Sequence, residues 1–101
     1  MPEIQFVVRW PDDSVTACYS PSLVVRDYFE AGHSYSLDDF LARSREALGI
    51  ASERVRAIYG FPCSRAQSQL ASIEAKVRGL VAFAATTESA PRVVVERLVP
   101  I

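Results

Sequence analysis

One histidine, two cysteines, one methionine, one tryptophan and four glycines are all that the 101 residues hold of those types. Each scarcity excludes something. A small extracellular scaffold stapled by disulfides carries more thiols than Cys18 and Cys63, so both are expected reduced. A zinc site from Cys18, Cys63, His33 and a carboxylate would need distant loops to converge, and no C-x-x-C or H-x-x-x-H pair anchors one, so no metal is expected. His33, beside Gly32, reads as a solvated turn imidazole. No Gly-x-Ser-x-Gly elbow accompanies it, and no catalytic residue is assigned. The glycines, at 32, 49, 60 and 79, are isolated. They fit helix ends and form no phosphate loop, so no cofactor is expected. No uncharged stretch approaches the roughly 18 apolar residues of a membrane span. Met1-Pro2-Glu3 does not begin a signal peptide, and a cytoplasmic protein is expected.

What is present is a globular composition, 50% hydrophobic and 23% charged with net charge -1. That length suits one domain over residues 1–101 with a single core. The charge is unevenly spread. Seven acids against Arg9 and Arg26 precede Arg43, and seven bases against Glu46, Glu53 and Glu74 occupy Arg43 to Arg78. A basic middle can meet an acidic partner, or its charges can face the acidic segment across the fold.

Ile4, Phe6, Val8 and Trp10 alternate with Gln5, Val7 and Arg9, the period of a half-buried strand. Pro11-Asp12-Asp13-Ser14 supplies a turn and Val15 to Tyr19 a second strand, giving a β-hairpin. Pairing Trp10 with Val15 sets Val8 against Ala17; a three-residue loop instead turns Thr16 and Cys18 inward. A one-residue slip decides the face of Cys18. Ser20-Pro21 reads as the cap of a short helix to Phe29. Ser36 caps a better one, with Leu37, Phe40, Leu41, Ala47 and Leu48 in its stripe and Gly49 as its stop. Ser52 can cap another carrying Val55, Ile58 and Tyr59, ended by Gly60. Ser64 can cap the last, with Ala66, Leu70, Ile73, Val77 and Leu80 in its stripe. Leu80 to Pro91 reads as a fraying helix end and connection, and Arg92 to Val99 as the last strand. The result is an α+β domain: a hairpin plus a C-terminal strand forming a small antiparallel sheet, covered on one face by three or four helices.

Two constellations stand out. Cys63, within Tyr59-Gly60-Phe61-Pro62-Cys63-Ser64-Arg65, precedes a helix start where backbone N–H groups and Arg65 favour a thiolate. With Cys18, Tyr59 and Ser64 it outlines a candidate thiol or small-molecule site. Arg45 to Arg56 has the helix, glycine and helix of a helix-turn-helix, but Arg45 stands where the motif packs closely and net charge -1 attracts phosphate little. Nucleic-acid binding is the weaker alternative. Ser44, on the apolar stripe between Leu41 and Leu48, is expected to bond a carbonyl one turn back.

Several blocks read together carry a family resemblance: Arg9-Trp10-Pro11-Asp12, Cys18-Tyr19-Ser20-Pro21-Ser22, Val25 with Asp27-Tyr28, and Arg43-Ser44-Arg45-Glu46-Ala47-Leu48. Ala51 to Arg56, Tyr59-Gly60-Phe61 and Cys63-Ser64-Arg65-Ala66 continue the series. Over roughly residues 1 to 75 the chain resembles the small bacterial nitrogen starvation response proteins, first named from mycobacteria. The resemblance implies a cytoplasmic protein encoded beside a nitrilase-type enzyme, with a radical S-adenosylmethionine protein, an acetyltransferase and a flavoprotein in the same kind of cluster. It implies no reaction. Asp13 stands where relatives are expected to have a turn glycine, and nothing after Leu80 matches.

These readings combine into a non-enzymatic accessory protein that binds a partner from a nitrogen-assimilation cluster, with Arg45, Arg54, Arg56 and Arg65 as the contact surface. Val7, Val94, Leu98 and the run Leu80 to Phe83 exceed what one core absorbs, an excess that points to a homodimer or a docked protein.

Overall fold

The computed structural model describes residues 3–84 and 91–101, and within it the side chains of residues 82–84 are not described. The chain forms a four-stranded antiparallel sheet and two long helices. Strands β1 (Ile4–Arg9) and β2 (Val15–Ser20) are the expected hairpin; β3 (His33–Ser36) and β4 (Arg92–Pro100) complete the sheet in the order β2-β1-β4-β3. Helices α1 (Leu37–Tyr59) and α2 (Ser64–Ala84) pack on each other and against one face of the sheet.

The hairpin uses the three-residue loop. Phe6 pairs with Cys18 and Val8 with Thr16, Trp10 N donates to the Ser14 carbonyl at 2.8 Å, and Asp13 N donates to Trp10 at 2.9 Å. Asp13 sits at φ 70, the left-handed region that a glycine adopts without cost and aspartate tolerates. This register places Cys18, fully buried, on the same face as Ile4, Phe6 and Val8.

The helical middle is simpler than its sequence suggests. One 23-residue helix replaces the two expected on either side of Gly49. Ser36 caps it, accepting from Asp39 N at 3.1 Å. Ser44, Ala47, Leu48, Ala51 and Ser52 then continue one buried stripe straight past Gly49. A glycine stops a helix only where the backbone turns left-handed, and that happens at Gly60, φ 86, whose N–H donates to Arg56 O at 2.8 Å. Ser52 is an interior residue of α1, not a cap. The α-helices therefore number two among the described residues, not three or four. The segment after Pro21 forms only a five-residue 3₁₀ turn, Leu23–Asp27, capped by Ser22 rather than Ser20.

Two strand features depend on distant partners. His33–Ser36, a polar stretch with no strand period, becomes β3 by pairing with β4, Tyr35 opposite Val93. In β4 a bulge sets both Glu96 and Arg97 against the single residue Val7. The bulge reverses the facing of the residues beyond it, so Leu98, opposite Phe6, packs against the core instead of joining Val94 on the far face. Val7 is nonetheless nearly buried on that far face, at 5% exposure.

Phe29 centres the core. Its ring lies 5.7 Å from Phe6, 5.1 Å from Phe40 and 5.3 Å from Tyr35 between centroids. Ala66, Ile73, Val77 and Leu80 close it from α2 as their spacing predicts. α2 runs on to Ala84; the rest of the expected connection, residues 85–90, lies outside the described residues.

Candidate functional site

The expected thiol site divides into two places. Cys18 lies beneath the sheet, 0% exposed, and burial pushes its thiol up to about 12. It borders a hollow of about 230 Å³ between β2 and α2, with Trp10, Thr16 and Ile73. Cys63, half-buried, lines a different and smaller hollow of about 140 Å³ with Glu3, Tyr19, Val55 and Tyr59. The fold thus brings Cys63 and Tyr59 together, leaves Cys18 elsewhere, and turns Ser64 out to solvent. Cys63 itself stands just ahead of α2, its carbonyl accepting from Gln67 N at 3.2 Å.

The helix-turn-helix reading fails on geometry. Residues 45 to 56 lie within one continuous helix, so no second helix is turned out to enter a groove. Ser44 is fully buried, and its hydroxyl has no hydrogen-bond partner among the described residues, contrary to the carbonyl contact expected of it.

The four arginines of the expected contact surface are all engaged within the chain. Arg45 bridges to Glu74 on α2 at 2.9 Å, and Arg56 to Glu53 at 2.9 Å. Arg54 donates to the Ser22 hydroxyl at 2.9 Å. Arg65 lies 3.8 Å above the Tyr19 ring, 3.9 Å from Glu3. The acidic first part of the chain thus meets the basic middle at several points, Asp12 with Lys76 among them. Exposed pairs of this kind contribute little stability and exchange readily for an incoming charge.

What stands free is apolar. The buried residues of α1 end at Ser52; where α1 and α2 join as a helical hairpin, Val55 and Tyr59 still line the hollow with Glu3 and Tyr19, and most other side chains there are exposed. At the tip of this helical hairpin Ile58, Tyr59 and Phe61 are 59%, 56% and 65% exposed. Leading to it is an open, nearly flat outer face of α1, with Gly49, Ile50 and Ala57 along it and Arg45, Glu46, Glu53 and Arg54 beside them. The sequence pattern hides this tip: Val55, Ile58 and Tyr59 have helical spacing and read as another buried stripe. The visible signal is Phe61, a large apolar residue inside the Gly60-Phe61-Pro62 turn.

The family described as nitrogen starvation-induced protein NitG matches residues 5–98. The chain belongs to that family. The match runs well past residue 75, where the resemblance read from the sequence ended, and takes in most of β4. Neither a curated protein nor a solved structure matches the chain. Membership ties the chain to nitrogen starvation. No described helix is long and apolar enough to cross a membrane.

Proposed function

We propose that the chain serves the nitrogen starvation response as a non-enzymatic cytoplasmic accessory protein, docking onto an enzyme encoded in the same nitrilase-type cluster. The observation that carries this is the helical tip: three large apolar side chains within four consecutive positions, each more than half exposed. An apolar cluster of that size, rimmed by charge, marks an interaction surface. The occupant that fits is an amphipathic helix of the partner, its apolar stripe along the outer face of α1 and its carboxylates facing Arg45 and Arg54, which border that face. Each of those guanidinium groups then exchanges a weak internal contact for an intermolecular one. Aromatic anchors ringed by arginine concentrate binding energy in a few contacts.

The test is recovery of cluster enzymes from nitrogen-limited cells by the tagged protein. The wild type is expected to recover the nitrilase-type enzyme or one of its cluster companions, identified by mass spectrometry. Phe61→Asp, a change at an exposed position, should abolish that recovery while leaving the circular dichroism spectrum unaltered. Recovery of none of these enzymes, or equal recovery by the variant, overturns the proposal.

A further inference from the structure

Among the described residues the sheet has one unguarded edge, and its hydrogen-bonding pattern suits a second copy of the same strand. Pairing of β2 with β1 alternates. Trp10 N donates inward to Ser14 O, whereas Tyr19 N donates off the edge to Gln69 Oε1 at 3.0 Å. By the same alternation Val15, Ala17 and Tyr19 direct their backbone groups away from β1. Tyr19 is already served by Gln69, which leaves Val15 and Ala17 free for pairing.

We propose that the edge of β2 pairs antiparallel with the same edge of a second copy, with Thr16 on the two-fold axis. In this register Val15 of each copy opposes Ala17 of the other, and both exchange N–H and C=O bonds. This register sets the two committed amides, Asp13 and Tyr19, against each other, whereas each neighbouring register spends a free residue on a committed one. An axis through Ala17 sets Val15 against Tyr19, whose amide Gln69 holds. An axis through Val15 sets Ala17 against Asp13, whose amide already donates to Trp10 at 2.9 Å. Charge supports the same choice: it brings the Asp13 carboxylate, 91% exposed, to the end of the other copy's strand, where Arg65 lies over Tyr19.

The remaining strand edges are defended and β2 is not. The stretch of β4 beyond β3 ends at Pro100, and β3 spans only four residues before running into α1. Proline, short length and charge are the usual protections of an edge, and Val15–Ser20 contains no proline and no charged residue. On the open sheet face Val15, 49% exposed, and Ala17 continue the apolar row begun by Val7.

Sedimentation velocity of the full chain, from low to high micromolar concentration, is the test. The wild type is expected to double its apparent mass with rising concentration, with the Val15 and Ala17 amides slowing in hydrogen exchange as the dimer forms. Ala17→Lys places a charge on the exposed edge and should remain monomeric with an unchanged circular dichroism spectrum. Phe61→Asp should still dimerise, which separates this interface from the helical tip. A wild type monomeric throughout, or a dimer that Ala17→Lys leaves intact, overturns the proposal. If Ala17→Lys does not fold, exchange at Val15 and Ala17 in the wild type decides: concentration-dependent slowing supports the pairing and its absence overturns it.

Discussion

Lys76 on α2 reaches back 64 residues to Asp12 in the hairpin turn, Nζ 2.9 Å from Oδ2. The contact fastens the end of β1 to the helix that covers it. The Ser14 hydroxyl donates to the same carboxylate, and together with Lys76 it lowers the Asp12 pKa from 3.8 to about 2. A carboxylate depressed in the folded state stabilises the fold fully above its unfolded value of 3.8, and that contribution is lost as pH falls toward about 2. Carboxyl chemical shifts followed by NMR should show Asp12 titrating well below its ordinary value of 3.8. Ser14→Ala and Lys76→Met should each move its midpoint upward, Ser14→Ala the more.

The two glycines of α1 should respond oppositely to the same substitution. Gly49 lies inside the helix with open space where a Cβ would stand. Gly49→Ala should therefore raise stability by about 1 kcal/mol in urea unfolding. Gly60, at φ 86, also has open space but holds a left-handed backbone. Gly60→Ala should cost about 1 kcal/mol. Equal effects would mean that α1 is not continuous through residue 49.

Ser44 should be better replaced than kept. Its buried hydroxyl has lost water and found no partner among the described residues, and the helix already satisfies the backbone around it. Ser44→Ala removes the unpaired group and improves helix propensity, so thermal unfolding should shift upward by the equivalent of about 1 kcal/mol.

The thiols should separate kinetically. Iodoacetamide at neutral pH should label Cys63 in the native protein and spare Cys18, whose thiol is buried and stays protonated. Denaturant should equalise them. Native labelling of Cys18 at the Cys63 rate would contradict the three-residue hairpin register that turns it inward.

The strands with a local period, β1, β2 and β4, were readable in the sequence, as was the α2 stripe. β3 was not, because His33-Ser34-Tyr35-Ser36 becomes a strand only through its partner in β4. The facing of Leu98 was equally hidden, since it depends on a bulge that no spacing reveals. Gly49 misled for a related reason: a glycine carries the same letter inside a helix as at its end, and only the buried stripe through Ala51 and Ser52 decides. At the candidate site the arginines were visible as a charge excess, but their internal partners on distant segments were not. The exposed tip emerged only once α1 proved to run past Gly49 to Tyr59, its last two turns lying beyond the buried stripe.

The central claim is that the outer face of α1 and the tip of the helical hairpin receive the partner. Titration of the purified nitrilase-type enzyme proposed as the partner into isotope-labelled protein, followed residue by residue by NMR, tests this directly. The account predicts that the amides of Ile50, Ala57, Ile58 and Phe61 shift or broaden at low stoichiometry while those of β4 stay in place. An unchanged spectrum, or perturbations confined to the sheet, would contradict it.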